Sequence, residues 1–275
     1  MNTTTMAFKL VLVLALFCAV HARFPKAIQD RWGYLDTYEY SRNSPRVVGG
    51  TDAKKAEAPF QISLMKDYLI LKSHICGGSL ITPQTVVTAA HCTDGQTASS
   101  LINRLGTNQR SKPGIPDIKT KRIVQHEQYD PNTIENDISL LILASPITPS
   151  DTVKVIAIEE TNLNGGEDVK LYGWGLTDGN TQDLPENLQV GELKIVSQEE
   201  CNAKWGEVNT IKPGMICALA PSTQACNGDS GGPLVYNGKL AGIVSWGPSK
   251  CPVGEYMAVF TRPNHYLEWI NANKV

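Results

Sequence analysis

The sequence has almost no excess of charge of either sign. Its 25 Lys and Arg stand against 27 Asp and Glu, for a net charge of −2. No basic run occurs, so it lacks the cationic footprint that nucleic-acid binding needs. Beyond Val20 no apolar stretch is long enough to cross a bilayer, which excludes a membrane span made of a helix. No Cys-x-x-Cys pair is present, which argues against a structural zinc cluster. No Asn-x-Ser/Thr site follows Asn2, so no N-linked glycan is expected on the processed chain. Residues 47–275 contain no repeat, linker or low-complexity tract. What remains is an ordinary globular composition: 41% hydrophobic residues in 275, enough to bury a sizeable core.

The first 22 residues are a targeting segment. Lys9 precedes an apolar run from Leu10 to Val20, and Val20-His21-Ala22 fits a small-residue cleavage site, so the signal peptide is placed at 1–22. The chain is therefore expected to be secreted into an oxidising environment. Cys18 leaves with the signal. The remaining Cys76, Cys92, Cys201, Cys217, Cys226 and Cys251 are an even set, expected to form disulfides whose pairing the spacing leaves open. Residues 23–46 carry Trp32, Tyr34, Tyr38 and Tyr40 but no cysteine, and end at Arg46 before Val47-Val48-Gly49-Gly50. A basic residue before a small β-branched, double-glycine start reads as a processing site, with 23–46 as an activation propeptide that nothing tethers after cutting.

Beyond Arg46 the pattern is β. Short apolar runs at Phe60 to Met65, Val86 to Ala89, Ile138 to Leu143, Leu188 to Val196, Pro233 to Tyr236, Leu240 to Ser245 and Tyr256 to Thr261 alternate with turns. Asn237-Gly238 predicts a two-residue hairpin, because both positions tolerate positive φ. Ser197 with Glu200 predicts a capped helix carrying Cys201 and Trp205 on one side. A second helix is expected near the C-terminus, capped by Asn264, with Tyr266, Trp269 and Ile270 sharing a face.

Three segments carry chemistry. Thr88-Ala89-Ala90-His91-Cys92 sets a histidine beside a cysteine that can fix its backbone. Asn136-Asp137-Ile138-Ser139-Leu140-Leu141 sets a carboxylate at the mouth of a buried strand, where an unpaired charge is costly. Cys226-Asn227-Gly228-Asp229-Ser230-Gly231-Gly232-Pro233 presents a serine in a glycine-rich turn with backbone N–H groups beside it. Together they supply a nucleophile, a base of near-neutral pKa and a buried orienting group.

These segments in the order His, Asp, Ser, with Arg46-Val47-Val48-Gly49-Gly50 upstream and Ser245-Trp246-Gly247 downstream, resemble the chymotrypsin/trypsin family of serine proteases, and the similarity spans residues 47–275. The pattern is similar to that of invertebrate digestive members. The resemblance implies an all-β fold: two six-stranded antiparallel β-barrels packed face to face, the first about 47–150 and the second about 151–275, with a short C-terminal helix. It implies a catalytic triad of His91, Asp137 and Ser230, an oxyanion hole from the N–H groups of Gly228 and Ser230, and disulfides Cys76–Cys92, Cys201–Cys217 and Cys226–Cys251. It implies activation by a cut after Arg46, whose new Val47 ammonium pairs with Asp229; before the cut, His74 and Ser63 occupy the place where some relatives hold that aspartate. Ser245, Trp246 and Gly247 match the edge that binds substrate backbone as an added strand.

By the same resemblance, Gln224, six residues before Ser230, sits at the base of the primary specificity pocket, with Gly247 and Gly254 as open walls. An uncharged base gives little reason to accept a buried cation. Large apolar or aromatic residues before the cut are therefore expected, as in chymotrypsin. Elastase-, collagenase- or trypsin-like specificity is the alternative, and a non-catalytic binding homologue a remoter one. Thr107 to Lys119, which matches the calcium loop of some relatives, holds Asp117 as its one acidic residue, so no metal or other cofactor is expected. The expected partners are polypeptide substrates, an activating trypsin-like protease and protein protease inhibitors, with the chain a secreted monomer in digestion.

Overall fold

A computed structural model describes residues 47–68 and 71–275. The expected signal peptide at 1–22 and the expected propeptide at 23–46, Arg46 included, lie outside the described residues. After a two-residue strand β1 (Thr51–Asp52), the chain builds the first barrel from β2 (Gln61–Asp67), β3 (Lys72–Thr82), β4 (Thr85–Thr88), β5 (Leu101–Arg104), β6 (Ile118–Gln125) and β7 (Ser139–Leu143). The strands close in the order β2-β3-β4-β7-β6-β5, all antiparallel. The second barrel uses β8 (Asp168–Gly173), β9 (Gln189–Val196), β10 (Met215–Leu219), β11 (Pro233–Tyr236), β12 (Lys239–Trp246) and β13 (Ala258–Thr261). Its order is β9-β10-β13-β12-β11-β8, closed by β8 on β9, with β1 added at the outer edge of β9. The fold is thus the double six-stranded barrel with a short C-terminal helix that the resemblance implied.

Side-chain alternation explains the closure. Along β9, Gly191, Leu193 and Ile195 point inward while Glu192 and Lys194 face water, the period of two that a half-buried strand requires. β7, by contrast, is buried along its whole length. One continuous cluster joins Ile62, Leu64, Leu80, Val86, Leu140 and Leu143 of the first barrel to Tyr172, Trp174, Leu188 and Val235 of the second. Each fully buried Leu or Ile here stabilises the fold by roughly 2 kcal/mol. That shared core holds the barrels together, and Phe60 meets Tyr172 edge-on across it at 6.1 Å.

The predicted hairpin is present, with Asn237 at φ 46° and Gly238 at φ 78°. α1 is the single turn Ala90–Thr93, and α2 (Gln198–Trp205) starts where expected: Ser197 Oγ accepts from Glu200 N at 3.1 Å, with Cys201 and Trp205 buried. The C-terminal helix departs from expectation. α3 spans Leu267–Asn273 behind a 3-10 turn at Pro263–Tyr266, and Asn264 does not cap it. Asn264 Nδ2 instead donates to Glu160 O, Thr161 O and Asn162 Oδ1, which ties the side chain to a neighbouring loop and leaves its capping atom Oδ1 without a partner among the described residues. The three disulfides are Cys76–Cys92, Cys201–Cys217 and Cys226–Cys251, the implied set. Each of the two shorter loops lowers the entropy of the unfolded chain by the equivalent of about 3 kcal/mol.

Candidate active site

His91 and Asp137 come from adjacent strands of the first barrel. β4 and β7 pair antiparallel, with Thr88 opposite Ser139, so the residues just beyond Thr88 and just before Ser139 meet at one end of the barrel. The Cys76–Cys92 bridge ties α1 back to β3 and fixes the residue next to His91. Asp137 is buried, and its carboxylate takes three hydrogen bonds: His91 N donates to Oδ1 at 2.8 Å, His91 Nδ1 to Oδ2 at 2.8 Å, and Ser245 Oγ to Oδ2 at 2.6 Å. Its backbone carbonyl accepts from Thr261 Oγ1 at 2.7 Å. Burial alone would raise the Asp137 pKa, but the His91 charge and these donors hold it below the usual carboxylate range. Burial likewise would lower His91, and the Asp137 charge and hydrogen bond outweigh it, so its pKa lies above the ordinary imidazole value.

Ser245, expected at the substrate-pairing edge, also has a side-chain contact that the sequence reading did not foresee. It falls at a register shift between β12 and β13, where Val244 faces Phe260 and Trp246 faces Val259. Such a bulge leaves the extra residue unpaired and re-aims its side chain. Here the hydroxyl turns inward, onto Asp137.

Ser230 arrives from the second barrel. Its carbonyl accepts from Gly77 N of β3 at 2.7 Å, and Thr88 Oγ1 donates to Gly77 O at 2.8 Å. The serine backbone is thereby pinned against the strand pair that ends at His91. A Cβ on Gly77 would lie 2.8 Å from Gly232 Cα, so only glycine allows the approach. Next in the chain, Gly231 N donates to Val244 O at 2.8 Å. Among the described residues, Ser230 Oγ makes no hydrogen bond to His91, and no group accepts from the N–H of Gly228 or Ser230. Gly228 has φ 101°, and a Cβ there would press on Leu184 and Gly175.

Asp229 is buried and points away from this surface. Oδ1 accepts from Gly175 N at 2.8 Å and Oδ2 from Cys226 N at 2.9 Å. Among the described residues no cation pairs with it, and burial pushes its pKa up to about 7 against the two amide donors. His74, expected near this aspartate before the cut, makes its hydrogen bonds elsewhere in this structure. His74 Nε2 donates to Gly228 O at 2.9 Å, and Nδ1 accepts from Ser63 Oγ at 2.7 Å. Burial lowers the His74 pKa to about 4, so the ring is neutral. Val47 is fully buried beside Gly191.

Gln224 is fully buried. Its Nε2 donates to Tyr256 O at 2.7 Å and Pro252 O at 3.2 Å, while Oε1 has no partner among the described residues. Its amide hydrogens are thus committed to the protein. Gly247 is open, since a Cβ there would meet Ala258 Cα at 3.7 Å, ordinary contact. Gly254 is required by backbone conformation, with φ 78° and Pro221 O 2.9 Å from where a Cβ would stand. Glu255 is exposed. Trp246 packs edge-on against Trp205 at 5.2 Å.

This geometry agrees with comparisons to known proteins. The family model for Trypsin matches residues 47–270. The chain belongs to the trypsin family of serine proteases. Trypsin Blo t 3 of Blomia tropicalis is 36% identical over 270 residues, covering 96% of this chain and 98% of its own. Trypsin beta of Drosophila erecta is 36% identical over 264 residues, with the same coverage. Among solved structures, mouse neuropsin, a serine protease expressed in the limbic system, matches with a TM-score of 0.74 and 31% identity, over 81% of this chain and 97% of its own.

In this trypsin-family chain, Asp117 is occupied by cations of the protein. Arg104 Nε and NH2 donate to its two oxygens at 2.9 Å, and Lys72 Nζ adds a third bond at 2.9 Å. That ion pair joins β3, β5 and the 107–119 loop. Cys76, His91 and Cys92 cluster closely enough to suggest a metal site, but both sulfurs are in one disulfide and offer no thiolate.

Proposed function

We propose that this chain is a secreted serine endopeptidase, made as a zymogen and switched on by a cut after Arg46. The observation that carries the catalytic reading is the buried Asp137 carboxylate, which grips both the backbone and the Nδ1 of His91. With Nδ1–H committed to Asp137, Nε2 is left as the basic nitrogen. Ser230 attacks the scissile carbonyl, and His91 takes its proton through Nε2 and later returns it to the leaving amine. Asp137 does not take the proton; it orients the ring and stabilises the imidazolium. The unengaged N–H groups of Gly228 and Ser230 receive the oxyanion, each worth on the order of 3 kcal/mol. Ser245 supports Asp137, and Trp246 with Gly247 offers the substrate-pairing edge.

Activation follows from Asp229. A buried carboxylate with two amide donors and, among the described residues, no cation favours a positive partner. The ammonium created on Val47 by cleavage is that partner, and pairing fixes the Asp229 neighbours, including the oxyanion donors. An uncut Arg46→Gln chain with full activity refutes this reading.

For specificity, we infer a preference for large apolar or aromatic residues before the cut, with Gln224 at the base of the pocket and Gly247 and Gly254 on its walls. The relatives are named trypsins, which favours Lys or Arg as a second reading. Gln224 speaks against it, because a neutral amide cannot offset a buried cation. A peptide library decides: Phe, Tyr, Leu or Met before the cut supports the proposal, and dominant Arg or Lys overturns it. Covalent titration of the cut chain separates an enzyme from a binding homologue. The disulfides suit secretion, and the resemblance to digestive members makes digestion the proposed role.

A further inference from the structure

Three Asn-Gly pairs lie among the described residues, at 164–165, 227–228 and 237–238. An exposed Asn-Gly peptide cyclises when the glycine nitrogen, as its anion, reaches the Asn side-chain carbon. The three differ in what holds that nitrogen. Gly165 N donates to the Glu167 carboxylate at 2.9 Å, which keeps its proton in place. Asn237-Gly238 is locked in the hairpin turn between the paired Tyr236 and Lys239, away from the active site. Asn227 is exposed, its side-chain amide has no partner among the described residues, and Gly228 N donates to nothing there. On the same peptide, Asn227 O accepts from Leu176 N at 2.8 Å. Fixing the carbonyl polarises the peptide and makes its N–H a better acid.

We propose that Asn227-Gly228 is a self-modification site that disarms the oxyanion hole with time; this rests on the protease reading above. Gly228 N loses its proton to hydroxide and attacks Asn227 Cγ. The N–Cγ bond forms, Cγ–Nδ2 breaks, and Nδ2 leaves as ammonia with a proton from water. The succinimide nitrogen carries no hydrogen, so one oxyanion donor is gone. Water then opens the ring to aspartate or isoaspartate. Either product puts a negative charge beside the developing oxyanion, and isoaspartate also lengthens the backbone by one carbon. No oxidant or reductant takes part.

The test has two arms. The full chain carrying Ser230→Ala, which cannot digest itself, is held at mildly alkaline pH and mapped by mass for succinimide and isoaspartate. Asn227 is expected to react about tenfold or more faster than Asn164, since Gly165 must first give up a charge-assisted bond. Equal rates, or Asn164 leading, overturn the proposal. In the second arm, activity of the cut enzyme is followed against the intact fraction at Asn227. The two should fall together, and Asn227→Gln should keep its own starting activity far longer. Full turnover by modified enzyme overturns the proposal. Failure of fresh cut enzyme to react with a covalent titrant instead refutes the protease reading, while the Ser230→Ala arm still reads the chemistry at Asn227.

Discussion

The sharpest prediction concerns Asp229 in the uncut chain. Its carboxyl is fully buried, with Gly175 N and Cys226 N as its two donors, and burial raises its pKa from 3.8 to about 7. A raised folded pKa means that the native state holds the proton more tightly than the unfolded chain. The associated stability is fully present below pH 3.8, and is lost as pH rises through about 7. At about 1.4 kcal/mol per pH unit, the loss amounts to about 4 kcal/mol. That is a large part of a typical domain's total stability. The assay is urea unfolding, disulfides intact, of uncut Ser230→Ala and uncut Ser230→Ala/Asp229→Asn chains from pH 4 to 8. The first chain should lose stability relative to the second across that range. Cutting after Arg46 should remove the difference above pH 7, because the Val47 ammonium then stabilises the ionised carboxylate. Parallel pH profiles for the two uncut chains refute the reasoning, as does a cut chain that keeps the full pH-dependent loss.

Other outcomes follow from the same contacts. Ser245→Ala removes one of three donors from Asp137 and should lower kcat/KM by about tenfold without unfolding the enzyme, read on a peptide substrate. Activity should rise with pH as His91 loses its proton, and the raised His91 pKa sets that limb above the ordinary imidazole value. Asp137→Asn removes the raising charge, so the limb should move to lower pH while kcat falls by orders of magnitude; an unmoved limb contradicts the assignment. Asp117→Asn leaves the buried Arg104 without its carboxylate and should cost about 3 kcal/mol, lowering Tm by several degrees, whereas EDTA should leave the native Tm unchanged.

Much of the fold was legible because strand burial follows local pattern. Each of the seven apolar runs overlaps a strand, and Asn237-Gly238 turns where its φ tolerance predicts. β3, β5, β6 and β8 were not named, since their apolar runs are broken by charged or polar residues such as Lys119, Lys121 and Arg122; β10, the unbroken apolar run Met215–Leu219, was also not named. Ser197 was readable as a cap because its partner lies three residues away. Asn264 was misread for the converse reason: the partners of its Nδ2 lie about a hundred residues back, and they orient the side chain so that Oδ1, the atom a cap would use, reaches no helix N–H. The bond from Ser245 to Asp137 was not legible because a bulge depends on the register between two strands, which neither strand's own sequence records.

By itself the sequence determined the chemical groups and their order: a histidine beside a cysteine, a carboxylate at a strand mouth, a serine among glycines. Those are local properties, set by residue type and near neighbours. Only the tertiary structure decided which groups share a hydrogen bond. Ser245 meets Asp137 across 108 positions, and Gly228 O meets His74 across 154. The contacts of Asp117 with Lys72 and of Gln224 with Pro252 and Tyr256 were likewise fixed by barrel closure and loop packing. Hydrogen bonds reach about 3 Å, whereas sequence pattern constrains only a few neighbouring residues. The partner of a buried polar group is therefore chosen by the fold.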